Sequence, residues 1–290
     1  MTPMLKLKTP VSEADIWVKL ENMHGSGSSK ERICAAIIAD AESRGLLRAG
    51  LSTLVEATSG NTGIGLSYLC AARGYAAALF MPENVEAEKK AIARVYGAGV
   101  FETPADKGIF GAMSEAKRFV SEMPEARFLV DQFSNPLNPE THERETAREI
   151  TGQMRGGIDA FVMGVGTGGT ITGIGREITK QFPDAKIVAV EPDASAVLSG
   201  GKAGKHSISG IGAGFIPDVL DTGVYDSIVT VTDEEARRGT ERLARENGLL
   251  AGPSSGANYI AAQKVARELG PSAQVVTIVC DSGDRYPAGG

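Results

Sequence analysis

The chain has 290 residues, 42% hydrophobic and 23% charged, with 30 basic against 36 acidic residues and a net charge of −6. That length can bury one large α/β core or two smaller lobes, and the basic residues form no stripe of the kind a nucleic-acid surface needs. The 36 glycines stand well above the roughly 7% of ordinary usage and have to be spent in turns.

In chain order, apolar β-rich runs alternate with segments of helical period. Ile16–Leu20 reads as a strand, then a helix from about Lys30 to Leu47, a strand at Thr53–Glu56, a helix from Thr62, a strand at Ala76–Phe80, a helix around Glu86–Tyr96 and a strand at Gly99–Glu102. Asp131–Pro139, dense in Asn and Pro, reads as a loop and a domain crossing. The rhythm then resumes with strands at Ala160–Met163, Lys186–Val190, Ser227–Val231 and Gln274–Val279, and helices near Thr170–Gln181, Asp233–Asn247 and Ser255–Leu269. Continuous apolar strands separated by helices predict parallel sheet, in two lobes with a cleft between them. Gly200–Gly214, with six glycines and two lysines, predicts a mobile loop.

Cys34, Cys70 and Cys280 are odd in number and far apart, which favours small core residues in a reducing, cytoplasmic compartment. His24, His142 and His206 show no ligand spacing, so nothing supports a metal centre. No apolar run approaches the ~18 residues of a membrane span, and no leader-like run follows Met1.

Four segments carry chemistry. Lys30, after Ser26-Gly27-Ser28-Ser29, falls at a helix start, where the dipole opposes an ammonium and favours the neutral amine that imine formation needs; a solvated surface lysine is the plainer alternative. Thr58-Ser59-Gly60-Asn61-Thr62-Gly63, set where a strand feeds a helix, can aim several N–H and O–H donors at one anion such as an amino-acid carboxylate, or can simply cap the helix. Gly164-Val165-Gly166-Thr167-Gly168-Gly169-Thr170 opens another helix with the geometry of a phosphate cradle. It also satisfies G-x-G-x-x-G, and Glu191 ends the next strand at a distance suited to a ribose, so a dinucleotide site competes with it. Ala251-Gly252-Pro253-Ser254-Ser255-Gly256-Ala257 presents two hydroxyls at a helix start, as a site or as a plain cap.

The order and spacing of these segments resemble the cysteine synthase (O-acetylserine sulfhydrylase) and cystathionine β-synthase family of fold-type II pyridoxal-phosphate enzymes, from Thr2-Pro3 to Asp281-Ser282-Gly283-Asp284-Arg285-Tyr286. The resemblance implies a two-lobed α/β fold, each lobe a mostly parallel sheet flanked by helices, with the active site in the cleft. Residues 1–21 and 136–290 would form the larger, phosphate-binding domain, and 22–135 a smaller mobile domain carrying the substrate loop. It implies pyridoxal 5′-phosphate held on Lys30 as a Schiff base, with Lys30 also the catalytic base. Asn61 would meet the cofactor's ring hydroxyl, Gly166, Thr167, Gly168, Gly169 and Thr170 its phosphate, and Ser254 its pyridine nitrogen. Thr58, Ser59, Gly60, Thr62 and Gln132 would receive the substrate carboxylate, with Gly212 in a flexible loop, Gly210–Pro217, at the mouth. No metal is implied. The reaction implied is β-replacement, O-acetyl-L-serine and sulfide giving L-cysteine and acetate through an aminoacrylate. A neutral Ser254 disfavours a long-lived carbanion and so favours elimination.

His24-Gly25-Ser26-Gly27 departs from the Asn-Pro usual before the lysine, and the added glycines predict a looser turn. Ala57 replaces a common proline. The sequence ends soon after Tyr286, without the helical tail of many relatives, which leaves the expected homodimer contacts open. Alternatives within the chemistry are O-phosphoserine as donor, a diaminopropionate-type product or cysteine desulfhydration. The Gly200–Pro217 loop holds no arginine for a phosphorylated donor. A different class is a weakly active paralogue that binds the C-terminus of a serine acetyltransferase.

Overall fold

The computed structural model describes residues 1–286. Its strands are β1 (Met4–Lys6), β2 (Asp15–Leu20), β3 (Thr53–Ala57), β4 (Ala76–Pro82), β5 (Gly99–Thr103), β6 (Arg127–Leu129), β7 (Ala160–Gly164), β8 (Lys186–Pro192), β9 (Ser227–Val231) and β10 (Gln274–Val279). Its α-helices are α1 (Lys30–Ser43), α2 (Asn61–Arg73), α3 (Ala87–Val95), α4 (Gly108–Glu122), α5 (Leu137–Thr141), α6 (Arg148–Gln153), α7 (Gly169–Gln181), α8 (Asp233–Asn247) and α9 (Pro253–Leu269), with a π-helical stretch at His142–Ala147. Among the described residues no helix is long and apolar enough to cross a membrane.

The chain divides into two units. The first comprises Met1–Met23 and Asn138–Asp284; the second comprises His24–Leu137 and takes in Arg285. The sequence reading gave the whole C-terminal segment to the first lobe. Arg285 groups with the second because its guanidinium is spent there, on Ser26 and Asn61.

In the first unit the strand order is β1-β2-β10-β7-β8-β9. Only β1 runs antiparallel, against β2; every other pair is parallel. Both faces are covered, which is why these strands read as continuous apolar runs. Ile16, Val18, Val162, Val190 and Val275 face one core with residues of α8 and α9. Phe161, Met163, Ile187 and Ile278 face another with Ile150 of α6 and Ile171, Ile174 and Ile178 of α7. Close helix approach at α8 and α9 depends on missing side chains: a Cβ on Gly239 would stand 2.3 Å from the carbonyl oxygen of Gly256, and one on Gly256 would stand 2.2 Å from that of Ala236. On β2 the ammonium of Lys19, fully buried, is held by Glu149 at 2.7 Å and by the Gln153 side chain at 2.8 Å.

The second unit is a four-stranded, all-parallel sheet in the order β5-β4-β3-β6. Leu54, Leu79 and Met81 pack under Ile33, Ile37 and Ile38 of α1 and Leu66 of α2. Val55, Ala78 and Phe80 pack on Ala112 and Ala116 of α4. The expected helix to Leu47 stops at Ser43 with Gly45 left-handed after it. Asp131–Pro139 is not loop throughout, since α5 starts at Leu137. Sequence periodicity passed over β1, α4 and β6, and the run from α5 to α6.

Candidate active site

In the second unit α1 begins at Lys30, with Ser29 at the cap position making no side-chain capping bond. Lys30 is half-buried. The turn before it is braced rather than loose. Ser26 N–H donates to Glu31 Oε2 (2.6 Å), Gly27 N–H to the His24 carbonyl (2.8 Å), and the Ser26 carbonyl accepts from Arg285 Nη2 (2.9 Å). Gly27 is left-handed (φ +74°), and a Cβ there would lie 2.2 Å from Arg285 Nη2. The glycine that predicted flexibility is the one residue that fits beside the arginine. The first turn of α1 rests on α2 at Gly65, where a Cβ would approach Glu31 N to 3.3 Å.

β3 delivers Thr58–Asn61 to the start of α2, whose first helical bond runs from Ile64 N–H to the Gly60 carbonyl (3.1 Å). The N–H groups of 61–63 therefore precede the helical ladder, at the positive end of its dipole. Thr58 is buried and its Oγ1 accepts from Gly60 N–H at 3.0 Å, Ser59 is exposed, and Asn61 Oδ1 accepts from Arg285 Nη1 at 2.8 Å. The structure brings Thr62 and Gln132 together: the threonine hydroxyl donates to Gln132 Oε1 at 2.6 Å. Gln132 Nε2 donates to the Ala57 carbonyl (3.0 Å) and to Glu56 Oε1 (3.3 Å). A carboxylate reaching Gln132 must take one of these two protons.

Glu56 is the residue that sequence reasoning missed here, hidden inside an apolar strand. It is 1% exposed, and burial together with the neighbouring Asp131 charge pushes its carboxyl up to about 8, against the pull of the Gln132 amide. Asp131 holds a left-handed backbone (φ 53°), which turns the chain so that Gln132 N–H faces Glu56 Oε2 at 3.4 Å. Cys34 lies under the same loop, its thiol within 3.6 Å of the Thr62 carbonyl and raised by burial.

In the first unit the Gly166–Thr170 loop leads from β7 into α7, whose first helical bond runs from Thr172 N–H to the Gly168 carbonyl (3.0 Å). The N–H groups of 168–171 thus precede the helical ladder, at the positive end of its dipole. No side chain fits in the cradle. A Cβ on Gly166 would meet the Gly210 carbonyl at 2.3 Å, and one on Gly169 would meet Asn138 Oδ1 at 1.9 Å. The hydroxyls of Thr167 and Thr170 are positioned by two residues that sequence reasoning did not single out. Asn138 Nδ2 donates to Thr167 Oγ1 (3.0 Å), and Thr170 Oγ1 lies 3.2 Å from His142 Nε2. His142 sits on the π-helical stretch with its other nitrogen against Thr146 Oγ1 at 3.0 Å. That local widening, common beside functional sites, lets the helix abut α7 where a Cβ on Gly173 would touch the Pro139 carbonyl at 2.1 Å.

Ser254 and Ser255 do not cap α9; Gly252 does, with Pro253 at the first helical position. Ser255 Oγ accepts from Cys280 N–H (2.9 Å), and Asn258 one turn on ties Gly164 N–H (2.7 Å) to the Ile278 carbonyl (3.0 Å). Ser254 is buried, its Oγ 3.4 Å from the point where a Cβ on Gly210 would stand. Gly210, Gly212 and Gly214 all have positive φ, and Gly212 N–H is anchored to the Val165 carbonyl at 2.9 Å. Glu191, the candidate ribose ligand, is already satisfied: its carboxylate accepts from Leu198 N–H (2.8 Å), Ser199 N–H (3.0 Å) and Ser199 Oγ (2.5 Å). The G-x-G-x-x-G pattern therefore lacks the acidic partner that a dinucleotide site needs.

The first unit by itself offers a side-chain-free cradle of N–H groups and hydroxyls suited to a phosphate, and the second by itself offers a lysine at a helix start suited to an aldehyde. The pyridoxal-phosphate dependent enzyme family matches residues 1–281. The chain belongs to this family. Pyridoxal phosphate is accordingly its cofactor. A cysteine synthase of Staphylococcus aureus is 47% identical over 288 residues, covering 98% of this chain and 92% of its own. An O-acetylserine dependent cystathionine beta-synthase from Helicobacter pylori superposes with a TM-score of 0.93 at 37% identity, covering 100% of this chain and 95% of that one. A cysteine synthase from Entamoeba histolytica gives 0.91 at 35%, covering 98% and 86%.

Proposed function

We propose that the protein is a cysteine synthase, catalysing β-replacement of O-acetyl-L-serine by sulfide to give L-cysteine and acetate. The observation that carries this reading is a lysine at the first position of α1 beside a second helix start rich in anion donors, in a chain 47% identical to a cysteine synthase.

Lys30 is the amine that carries the cofactor, and its Nζ, once freed by the incoming amino acid, takes the proton from substrate Cα and later returns it. A positioned base of this kind contributes about 10²–10⁴-fold. Bound here, pyridoxal phosphate supplies an electron-withdrawing ring conjugated with the substrate's amino group. Thr58, Ser59, Gly60, Thr62 and Gln132 receive the substrate carboxylate, and with it fixed the acetoxy group leaves Cβ and sulfide adds there. The Gly166–Thr170 loop holds the phosphate. Ser254 offers a neutral hydroxyl to the ring nitrogen, which favours elimination over racemisation or transamination. Gly212 lies in the loop at the mouth, and the second unit is the mobile one. The reading extends to a homodimer in a reducing cytoplasm, where the three buried thiols stay free, with the C-terminus of a serine acetyltransferase as a partner to be tested by pull-down.

The test is visible absorption of the cofactor-loaded protein on adding O-acetylserine and then sulfide, with cysteine assayed in parallel. A band that shifts with the first addition, reverts with the second, and is lost in Lys30→Ala is expected. A band indifferent to O-acetylserine would transfer the assignment to another donor, with O-phosphoserine next to be tried.

A further inference from the structure

The second unit has a cavity of about 460 Å³ between α4 and the β4–β5 side of its sheet, and none of the residues lining it is assigned to substrate or cofactor. That size lies within the roughly 300–1,000 Å³ of small-molecule sites. Its cause is local. Strand alternation puts Phe101 and Thr103 on one face of β5, the outer strand, opposite Phe80 and Pro82 of β4. α4 packs through Ala112 and Ala116 on Val55, Ala78 and Phe80 and has no side chain at Gly111, so β5 is left partly uncovered. Phe101 stacks on Phe80 with 5.1 Å between centroids, and Phe119 of α4 stands 5.4 and 5.6 Å from the two rings, yet Phe101 remains 44% exposed. One wall of the cavity is therefore aromatic.

Its polar groups are few and unequally matched. Glu115 is paired with Arg118 at 2.7 Å and Glu102 with Lys90 at 2.8 Å. Lys107 also lines the cavity and has no ion pair among the described residues. Its stem passes Gly111, where a Cβ would stand 2.6 Å from Lys107 Cβ. α4 starts at Gly108 with no side-chain cap, so the positive end of its dipole adds to the ammonium. Thr103 is 4% exposed, and its Oγ1 is buried with no partner among the described residues. A buried hydroxyl without a partner carries a cost that a bound acceptor removes.

We infer that this cavity binds a small planar aromatic carboxylate, its ring against Phe101 and its carboxylate between the Lys107 ammonium and the Thr103 hydroxyl. A carboxylate accepts from both donors, and an aromatic ring gains from offset stacking beyond its buried area. One unmatched cation suits one negative charge; a dianion would face Glu102 and Glu115 with no second cation in reserve.

The test is a fluorine NMR titration of the cofactor-loaded protein with 4-fluorobenzoate, and with 4-fluorobenzamide as a neutral probe of the same shape, for the wild type, Lys107→Met, Thr103→Val and Ser114→Trp, with thermal midpoints recorded without probe. Saturable binding of the benzoate about tenfold tighter than the benzamide is expected, the difference between a charge-assisted and a neutral bond. Lys107→Met should abolish that preference and leave the benzamide affinity as it was. Thr103→Val should weaken the benzoate severalfold while the midpoint holds or rises, because the hydroxyl has no partner to lose. Ser114→Trp, made at an exposed position of α4, puts an indole in the cavity and should exclude both probes. Benzoate affinity unchanged in all three variants would place the probe elsewhere on the protein and overturn the proposal. So would the absence of saturable binding to the wild type, or a Thr103→Val midpoint that falls with affinity unchanged.

Discussion

Glu56 shows how one side chain can make a strand sensitive to pH. Its carboxyl titrates near 4.5 in the unfolded chain and at about 8 when folded. Below the lower value both states are protonated and the residue costs nothing. As pH climbs through the window the unfolded carboxyl ionises while the folded one does not, so stability falls until about pH 8 and is level above it. At 1.36 kcal/mol per pH unit the full window is worth roughly 5 kcal/mol. Glu56→Gln keeps an acceptor for Gln132 and removes the ionisation. Urea unfolding at pH 5 and pH 8.5 should show the wild type losing stability relative to the variant as pH rises; parallel behaviour would mean that Glu56 is ionised throughout. Thr62→Val is a second residue-scale test. It deletes the 2.6 Å donor to Gln132 Oε1, a loss of about 0.5–1.5 kcal/mol, the net worth of one hydrogen bond. Because Gln132 is then held by one bond fewer, KM for O-acetylserine should change more than kcat, measured by steady-state kinetics. Neither contact could be read from the sequence. The Thr58–Thr62 donors are local and legible as a pattern, whereas Glu56 looks like any charged residue in a strand, and its partner is 76 positions away.

At the scale of elements, sequence reading did best where a helix or strand carries its own signals. Thr232 and Glu235 form a complete capping box on α8, and the expected bounds at Asp233 and Asn247 match the helix. α4 starts after Lys107 with no side-chain cap, and β1 is three residues long with exposed and half-buried side chains, so neither announces itself. The π-helical stretch at His142–Ala147 was equally silent, because its cause is tertiary: it fits against the Gly173 face of α7. The glycine pair joining α8 and α9 gives an expected outcome at this scale. Gly239→Ala gains up to about 1 kcal/mol of helix propensity, but overpacking costs about 1–3 kcal/mol. Here the obstacle is backbone at 2.3 Å, which cannot swing aside. A net loss of roughly 1–2 kcal/mol in urea unfolding is expected, and a gain would show that the helices can part.

For the molecule as a whole, cofactor binding and folding are linked. A ligand of the folded state present at a hundred times its Kd adds about 2.7 kcal/mol, which at roughly 2–4 °C per kcal/mol should raise the thermal midpoint by about 5–10 °C on loading with pyridoxal phosphate. Lys30→Ala should lose most of that rise in a thermal scan while keeping the apo midpoint. The alternation that predicts two parallel sheets was legible wherever a strand is buried on both faces, as β7 and β8 are. The grouping of Arg285 with the second unit was not, because it depends on contacts 224 and 259 positions apart.

That long return path has a consequence for biosynthesis. β2 pairs with β10, Ile16 opposite Val275, so the first sheet stays incomplete until β10 has been made. His24–Leu137 emerges as one continuous stretch and can assemble its four strands beforehand. At about 5–20 residues per second, the nascent chain carries that sheet for on the order of ten seconds before Arg285 is made. During that interval the Lys30 turn and the Asn61 amide have no guanidinium to hold them. The turn before α1 is thus made well before the residue that braces it.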